Sequence, residues 1–138
     1  LYFYDVGLAA HLLGIENSAQ VATHPLRGSL FENMVVTEAL KHRLNEGKRS
    51  DLSFYRDSSG LEVDLVASGG GLRPLEIKSG ETLNSDYFKN LEKFLKLFPA
   101  AAGRAGLVYG GEDKGERNGI HFFPVTGLEF FLGRQGLL

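Results

Sequence analysis

The chain contains no cysteine, which excludes a disulfide framework and any thiolate metal site. A bound metal would have to be held by carboxylate, imidazole or carbonyl groups. No apolar run approaches the ~20 residues that cross a bilayer, and the opening LYFYDVGLAA has neither the basic start nor the small-residue cleavage site of a signal peptide. The expectation is a cytoplasmic protein with no membrane partner. Positive charge is not in excess either. Fifteen Lys and Arg stand against seventeen Asp and Glu, for a formal net charge of -2, which argues against a domain that coats nucleic acid by bulk electrostatics. Neither GxxxxGK[ST] nor GxGxxG occurs, no repeat or low-complexity segment is present, and His11, His24, His42 and His121 show no HxxxH or HxH spacing.

What is present suits one α/β domain. A chain of 138 residues can bury roughly 70% of its unfolded surface, and a hydrophobic fraction of 43% with ten Phe and five Tyr supplies the core. Asp5 is placed to cap a short helix through Leu8, Ala9, Leu12 and Leu13, with Gly14 to stop it. Residues 15–27 read as a polar connection. From about Ser29 to Leu44, apolar residues at three- and four-residue spacing predict the first long helix. Leu52–Tyr55, Leu61–Ala67 and Leu72–Lys78 read as three consecutive antiparallel strands, because the turns between them are too short for anything but a reversal. A helix over about 85–98, strands at Ala105–Tyr109 and Ile120–Val125 joined by a Gly-rich loop, and a short helix from Gly127 to Leu132 complete the chain. A helical crossover between strands makes them parallel, so the expected fold is a mixed central sheet flanked by helices.

The stretch that carries chemistry runs from Phe54 to Ala67 and continues, after a Gly turn, as Leu75-Glu76-Ile77-Lys78-Ser79. Side chains two apart in a strand share a face, so Glu76 and Lys78 project together while Leu75 and Ile77 pack behind them. If the hairpin brings Asp64 opposite, two carboxylates and an ammonium meet on one surface. Burying such a group is costly unless a cation relieves the repulsion. Mg2+ commonly takes one or two protein carboxylates and leaves room for water and a phosphate oxygen. The competing reading is a cross-strand surface salt bridge worth less than about 1 kcal/mol.

Several neighbours are weighed beside it. Glu62 shares the face of Asp64 by alternation and is either a further ligand or a partner for Arg56. Ser79 could touch a phosphate or cap local backbone, and Tyr87 and Lys89 on the following helix could reach the cluster. Residues 41–56 hold five cations against two carboxylates, a local basic surface or simply a solvated helix end and turn.

The Asp64, Glu76 and Lys78 pattern resembles the PD-(D/E)xK nuclease superfamily, with Val63 standing where that motif has Pro. The phrases LYFYDVGLAAHLLGI, LRGSLFENMVVTEAL, FYRDSSGLEVDLV and LEIKSGE resemble the C-terminal domain of unknown function of bacterial and archaeal AAA-type ATPases. The resemblance implies a restriction-endonuclease-like fold at 25–138. Residues 1–24 would then be a helix and connection from an upstream ATPase module, which a start at Leu1 without Met leads one to expect. It also implies a Mg2+ or Mn2+ site formed by Asp64 and Glu76 with Lys78 as catalytic partner, and DNA or a protein as binding partner. An acidic residue on the first helix frequently completes the site in that superfamily, and Glu32 occupies this place. Ser29-Leu30-Phe31-Glu32 is equally a capping-box pattern, in which Glu32 would turn back to the helix start.

Overall fold

A computed structural model describes residues 1–133. A six-stranded mixed sheet of order β1-β2-β3-β4-β6-β5 forms the centre, and helices cover both faces, giving the α/β class expected. Three helices precede it: α1 at Val6–Leu12, α2 at Ser18–Thr23 and α3 at Arg27–Asn45. The Asp5 side chain accepts the amides of Gly7 and Leu8 at the start of α1, and Gly14 adopts the left-handed backbone (φ +73°) that ends it. The stretch 15–27 departs from a plain connection. Asn17 accepts the amide of Gln20 and so starts the short α2.

Strands β1 (Leu52–Arg56), β2 (Glu62–Ala67) and β3 (Arg73–Lys78) form the antiparallel meander. After β3 the chain turns through a 3-10 segment at Ser85–Phe88 into α4 at Lys89–Leu97, so the helix expected over 85–98 is tighter in its first turn. It then returns as β4 (Ala105–Tyr109), parallel to β3. The loop expected between the last strands holds one more. β5 (Gly115–Arg117) pairs antiparallel with β6 (Ile120–Pro124), which itself lies parallel to β4. Between them Asn118 and Gly119 both take positive φ, +53° and +76°, the backbone of a tight Asn-Gly hairpin turn. Helix α5 spans Leu128–Gly133.

Two apolar layers hold the sheet. On one face Val35 and Ala39 of α3 and Leu128, Phe131 and Leu132 of α5 pack against Leu65, Ala67, Leu75 and Ile77. On the other, Phe88, Leu91 and Phe94 pack against Leu61, Val63, Val66 and Leu107, with Tyr55 set edge-on to Phe94 and Phe98. Alternation along β2 is broken once. Leu65 and Ala67 belong to the α3 layer and Val66 to the α4 layer, yet Val63 and Leu61 also belong to the α4 layer. The break coincides with the register shift between β1 and β2, where Ser53 faces Val66 but Tyr55 faces Val63. Asp64 and Leu65 therefore both stand opposite Phe54. This is a β-bulge, one extra residue in β2 at the position of Asp64. Among the described residues no helix is long and apolar enough to cross a membrane.

Candidate functional site

The bulge lies where the β2 and β3 ladder ends. Regular pairing runs from Ala67 opposite Arg73 to Leu65 opposite Leu75, and in that register the next residues are Asp64 and Glu76. Instead of continuing the ladder, Asp64 accepts the backbone amide of Ile77 through Oδ2 at 2.8 Å. The side chain thus satisfies an amide that would otherwise be orphaned at the strand end.

Glu76 sits one residue before Ile77 and is carried into the interior, at 2% exposure. Its Oε1 receives Lys78 Nζ at 2.7 Å and, at 3.5 Å, the side-chain amide of Asn90 on α4. Its Oε2 is buried with no hydrogen-bond partner. Lys78 Nζ is also 3.9 Å from Asp64 Oδ2, so one ammonium stands between two carboxylates at the end of β3. Sequence reasoning brought these three residues together, and the structure does so too, although Asp64 arrives through a bulge rather than by simple alternation.

Burial sets the electrostatics. It pushes the Glu76 carboxyl up to about 7, with the Asp64 charge adding in the same direction and the Lys78 ammonium too weak an opponent to restore it. Burial likewise raises Asp64, against the lowering influence of the Ile77 amide and Lys78. For Lys78 burial opposes the charge, but its hydrogen bond to Glu76 and the charges of Glu76, Asp64 and Glu32 prevail and lift its pKa.

Glu32 is near this group without closing on it. Helix α3 begins at Arg27, with Leu26 at the cap position, which makes Ser29 a residue of the first turn and removes the capping box. Glu32 accepts the hydroxyl of Tyr2 at 2.7 Å, and its charge is felt at both Asp64 and Lys78. Burial first, and then this bond, push the Tyr2 phenol well above its ordinary range. The strap that carries Tyr2 is fixed by Asn33, whose side-chain amide exchanges two hydrogen bonds with the Phe3 backbone, each 2.7 Å. Among the described residues no three His, Cys, Asp or Glu side chains are grouped as metal ligands, so the acidic pair is Asp64 and Glu76.

The remaining candidates disperse. Glu62 is exposed, opposite Arg56 in the ladder, and reaches Asp64 only through its charge. Lys89 turns away to Asp86 at 2.6 Å, and Tyr87 packs over Gly80. Ser79 contributes its carbonyl, which accepts from Arg27 at 2.9 Å. His42 and His121 face Glu46 and Glu116, far in sequence from the cluster. Asn90 and Tyr2 were not singled out in the sequence. Asn90 sits one residue beyond Lys89 and three beyond Tyr87, and only the 3-10 turn before α4 sets which of these faces β3.

The donor set is oxygen-only, and two carboxylates with one orphaned oxygen between α4 and β3 match what a hard divalent cation takes from a protein. The residues therefore fit Mg2+ or Mn2+. No curated protein and no solved structure matches the chain. One family model does, over residues 27–128, which include β1 to β6 and every residue of the cluster. The chain belongs to that family, a domain of unknown function designated DUF4143.

Proposed function

We propose that this domain is a divalent-metal-dependent phosphodiesterase of the nuclease-like type, acting on DNA and attached to an AAA-type ATPase module in the cytoplasm. The observation that carries the reading is Glu76 Oε2, a carboxylate oxygen buried with no hydrogen-bond partner beside a second carboxylate. An unsatisfied buried group of this kind costs about 1–3 kcal/mol or more, which is hard to account for unless a ligand completes it. Asp64 and Glu76 would hold the cation, which supplies Lewis-acid polarisation of a phosphate oxygen and a more acidic bound water.

The chain's own residues divide the rest of the work. Ile77 N–H fixes Oδ2 of Asp64, the same oxygen that lies 3.9 Å from Lys78 Nζ, and so holds the carboxylate beside the cluster. Asn90 steadies Glu76 Oε1 from α4. Lys78, beside both carboxylates, would orient an attacking water and offset charge developing on the phosphate. Its amine already stands 2.7 Å from Glu76 and 3.9 Å from Asp64. The order helix, antiparallel meander, helix and parallel strand supports the restriction-endonuclease-like reading of the fold.

A second reading is a non-catalytic module that uses the same fold to bind nucleic acid or protein. It is favoured by the Lys78 ammonium at 2.7 Å from Glu76, which already neutralises much of the cluster, and by the lack of a third ligand among the described residues. Incubating the chain with double-stranded DNA and Mg2+ or Mn2+ separates the two. Metal-dependent cleavage that drops by orders of magnitude in Asp64→Asn, Glu76→Gln and Lys78→Met supports the enzyme. DNA left intact with both metals, and no metal-induced change in thermal stability, gives the module reading.

A further inference from the structure

The far end of the same hairpin carries a site of opposite character. A cavity of about 570 Å³ is lined by Arg43, Lys48, Arg49, Arg73 and Arg104, with Asp51 the one carboxylate among its described lining residues, Lys48 also paired with Glu46 at 2.8 Å, and Gly69 and Gly70 beside them. Arg73 opens β3 and Lys78 closes it, so at ~3.3 Å per residue the two ends lie roughly 17 Å apart. In a chain with net negative charge, five cationic side chains have been drawn from α3, the loop after it, β3 and the loop before β4.

The arrangement is built rather than incidental. Arg43, 5% exposed, is held by Asp51 Oδ2 at 2.8 Å and the Arg49 carbonyl at 3.3 Å. Arg73, 8% exposed, donates to the Phe131 carbonyl at 2.9 Å. Arg104 donates to the Gly70 carbonyl at 2.6 Å. The glycines make room for this. A side chain at Gly69 would collide with the Arg43 guanidinium and one at Gly71, which has φ +103°, with that of Arg104. A guanidinium has five donors in a fixed fork, so one bond to a carbonyl orients Arg104 while leaving its charge and most donors to the cavity. Neither Arg104 nor the exposed Arg49 faces a carboxylate among the described residues. With Arg43 and Arg73 fixed in the wall, the Arg49 and Arg104 guanidiniums that line the cavity without a facing carboxylate suit a multiply charged, tetrahedral oxyanion, since paired N–H donors match phosphate oxygens.

We infer that this cavity is a phosphate-binding site, distinct from the carboxylate cluster, for a phosphoryl group borne either by a small polyphosphate or by a nucleic-acid backbone. It stands apart from the proposed nuclease activity, because it shares no residue with Asp64, Glu76 or Lys78.

The test is titration of the full chain with inorganic pyrophosphate, and separately with a short DNA duplex in the absence of divalent metal, followed by calorimetry and amide chemical shifts. Pyrophosphate should bind saturably, with the largest shifts at the Gly69–Gly71 turn and around Arg49 and Arg104. Affinity should fall at least tenfold in Arg104→Gln and in the double variant Lys48→Gln/Arg49→Gln. The latter changes only residues outside the elements of the fold, so it tests the site even if Arg104→Gln disturbs the turn. Glu76→Gln should leave the affinity unchanged, which keeps this result separate from the fate of the metal site. Duplex binding that is lost in the same variants assigns the phosphate to nucleic acid, and pyrophosphate binding without duplex binding assigns it to a small ligand. Absence of saturable binding by both probes, or binding that survives in both variants, overturns the inference.

Discussion

The β2 and β3 hairpin has two ends, and they treat buried charge in opposite ways. At the turn end Arg43 is buried against Asp51 and a backbone carbonyl, so its charge is matched by a carboxylate. At the open end Glu76 is as deeply buried, and although Lys78 pairs with its Oε1, its Oε2 has no partner and a second carboxylate stands close enough to oppose its charge. A matched buried ion supports the fold. A mismatched one is tolerated by it, and such mismatches gather where a ligand is awaited.

That contrast can be broken at its stronger end first. Arg43→Ala strands Asp51 and opens the core beside α3, and we expect a loss of about 3 kcal/mol, a little below the range for fully buried pairs because Asp51 is partly exposed. Urea unfolding at pH 7 reads this directly. A loss under about 1 kcal/mol would mean that the Arg43 and Asp51 pair is no more than a surface contact.

Glu76→Gln should act in the other direction. The folded-state pKa of Glu76, about 7, lies above its ordinary 4.5. Its stabilising contribution is therefore complete below pH 4.5 and is lost as pH rises through 7. Asp64, also raised, adds to the same trend. At pH 8 the ionised Glu76 costs at most about 3 kcal/mol, and the Gln variant should recover part of it, on the order of 1–2 kcal/mol. At pH 4 wild type and variant should unfold alike. A wild-type stability that is flat from pH 5 to 8 contradicts the picture of a carboxylate buried with one oxygen unpartnered.

Divalent metal sharpens the comparison from the ligand's side. With few protein ligands the affinity is weak, and 10 mM Mg2+ acting on a millimolar site stabilises by about 1.4 kcal/mol. That gain should appear at pH 8, fade toward pH 5 as the carboxylates protonate, and vanish in Asp64→Ala. The smallest effect belongs to Tyr2→Phe, which frees Glu32 from a partly exposed hydrogen bond and should cost about 0.5–1 kcal/mol. If Glu32 serves the cation, metal binding should tighten slightly in this variant, and unchanged binding confines Glu32 to the strap.

Much of this was legible in the sequence where short-range chemistry decides. Asp5 and Gly14 mark α1 because a cap and a left-handed stop are local devices, and Glu-x-Lys puts two groups on one face because alternation is local. The Asn118-Gly119 turn was equally local, and reading its surroundings as a loop overlooked β5 between charged residues. Other features depend on distant partners. Ser29 looked like a helix cap only until the start of α3 moved back to Arg27. The bulge at Asp64 arises from pairing with β1 and leaves no mark in residues 61–67 themselves. The basic residues of 41–56 look like a charged face in sequence, whereas Lys41 and Lys48 pair with Glu38 and Glu46 and Arg43 turns inward toward Arg73 and Arg104, thirty and sixty-one positions away.

The bulge has a second effect, on how copies of the chain meet. Strand β1 is one outer strand of the sheet, and Phe54 in it is 69% exposed, an arrangement that invites another strand to pair along the open side. An extra residue in the adjacent β2 increases local twist and bends the edge away from flatness, while Arg56 adds a charge beside Phe54. Deleting one residue at 64–65 would restore a straight ladder along with a flat, aromatic border, and solubility during refolding would then report what the irregularity had been preventing.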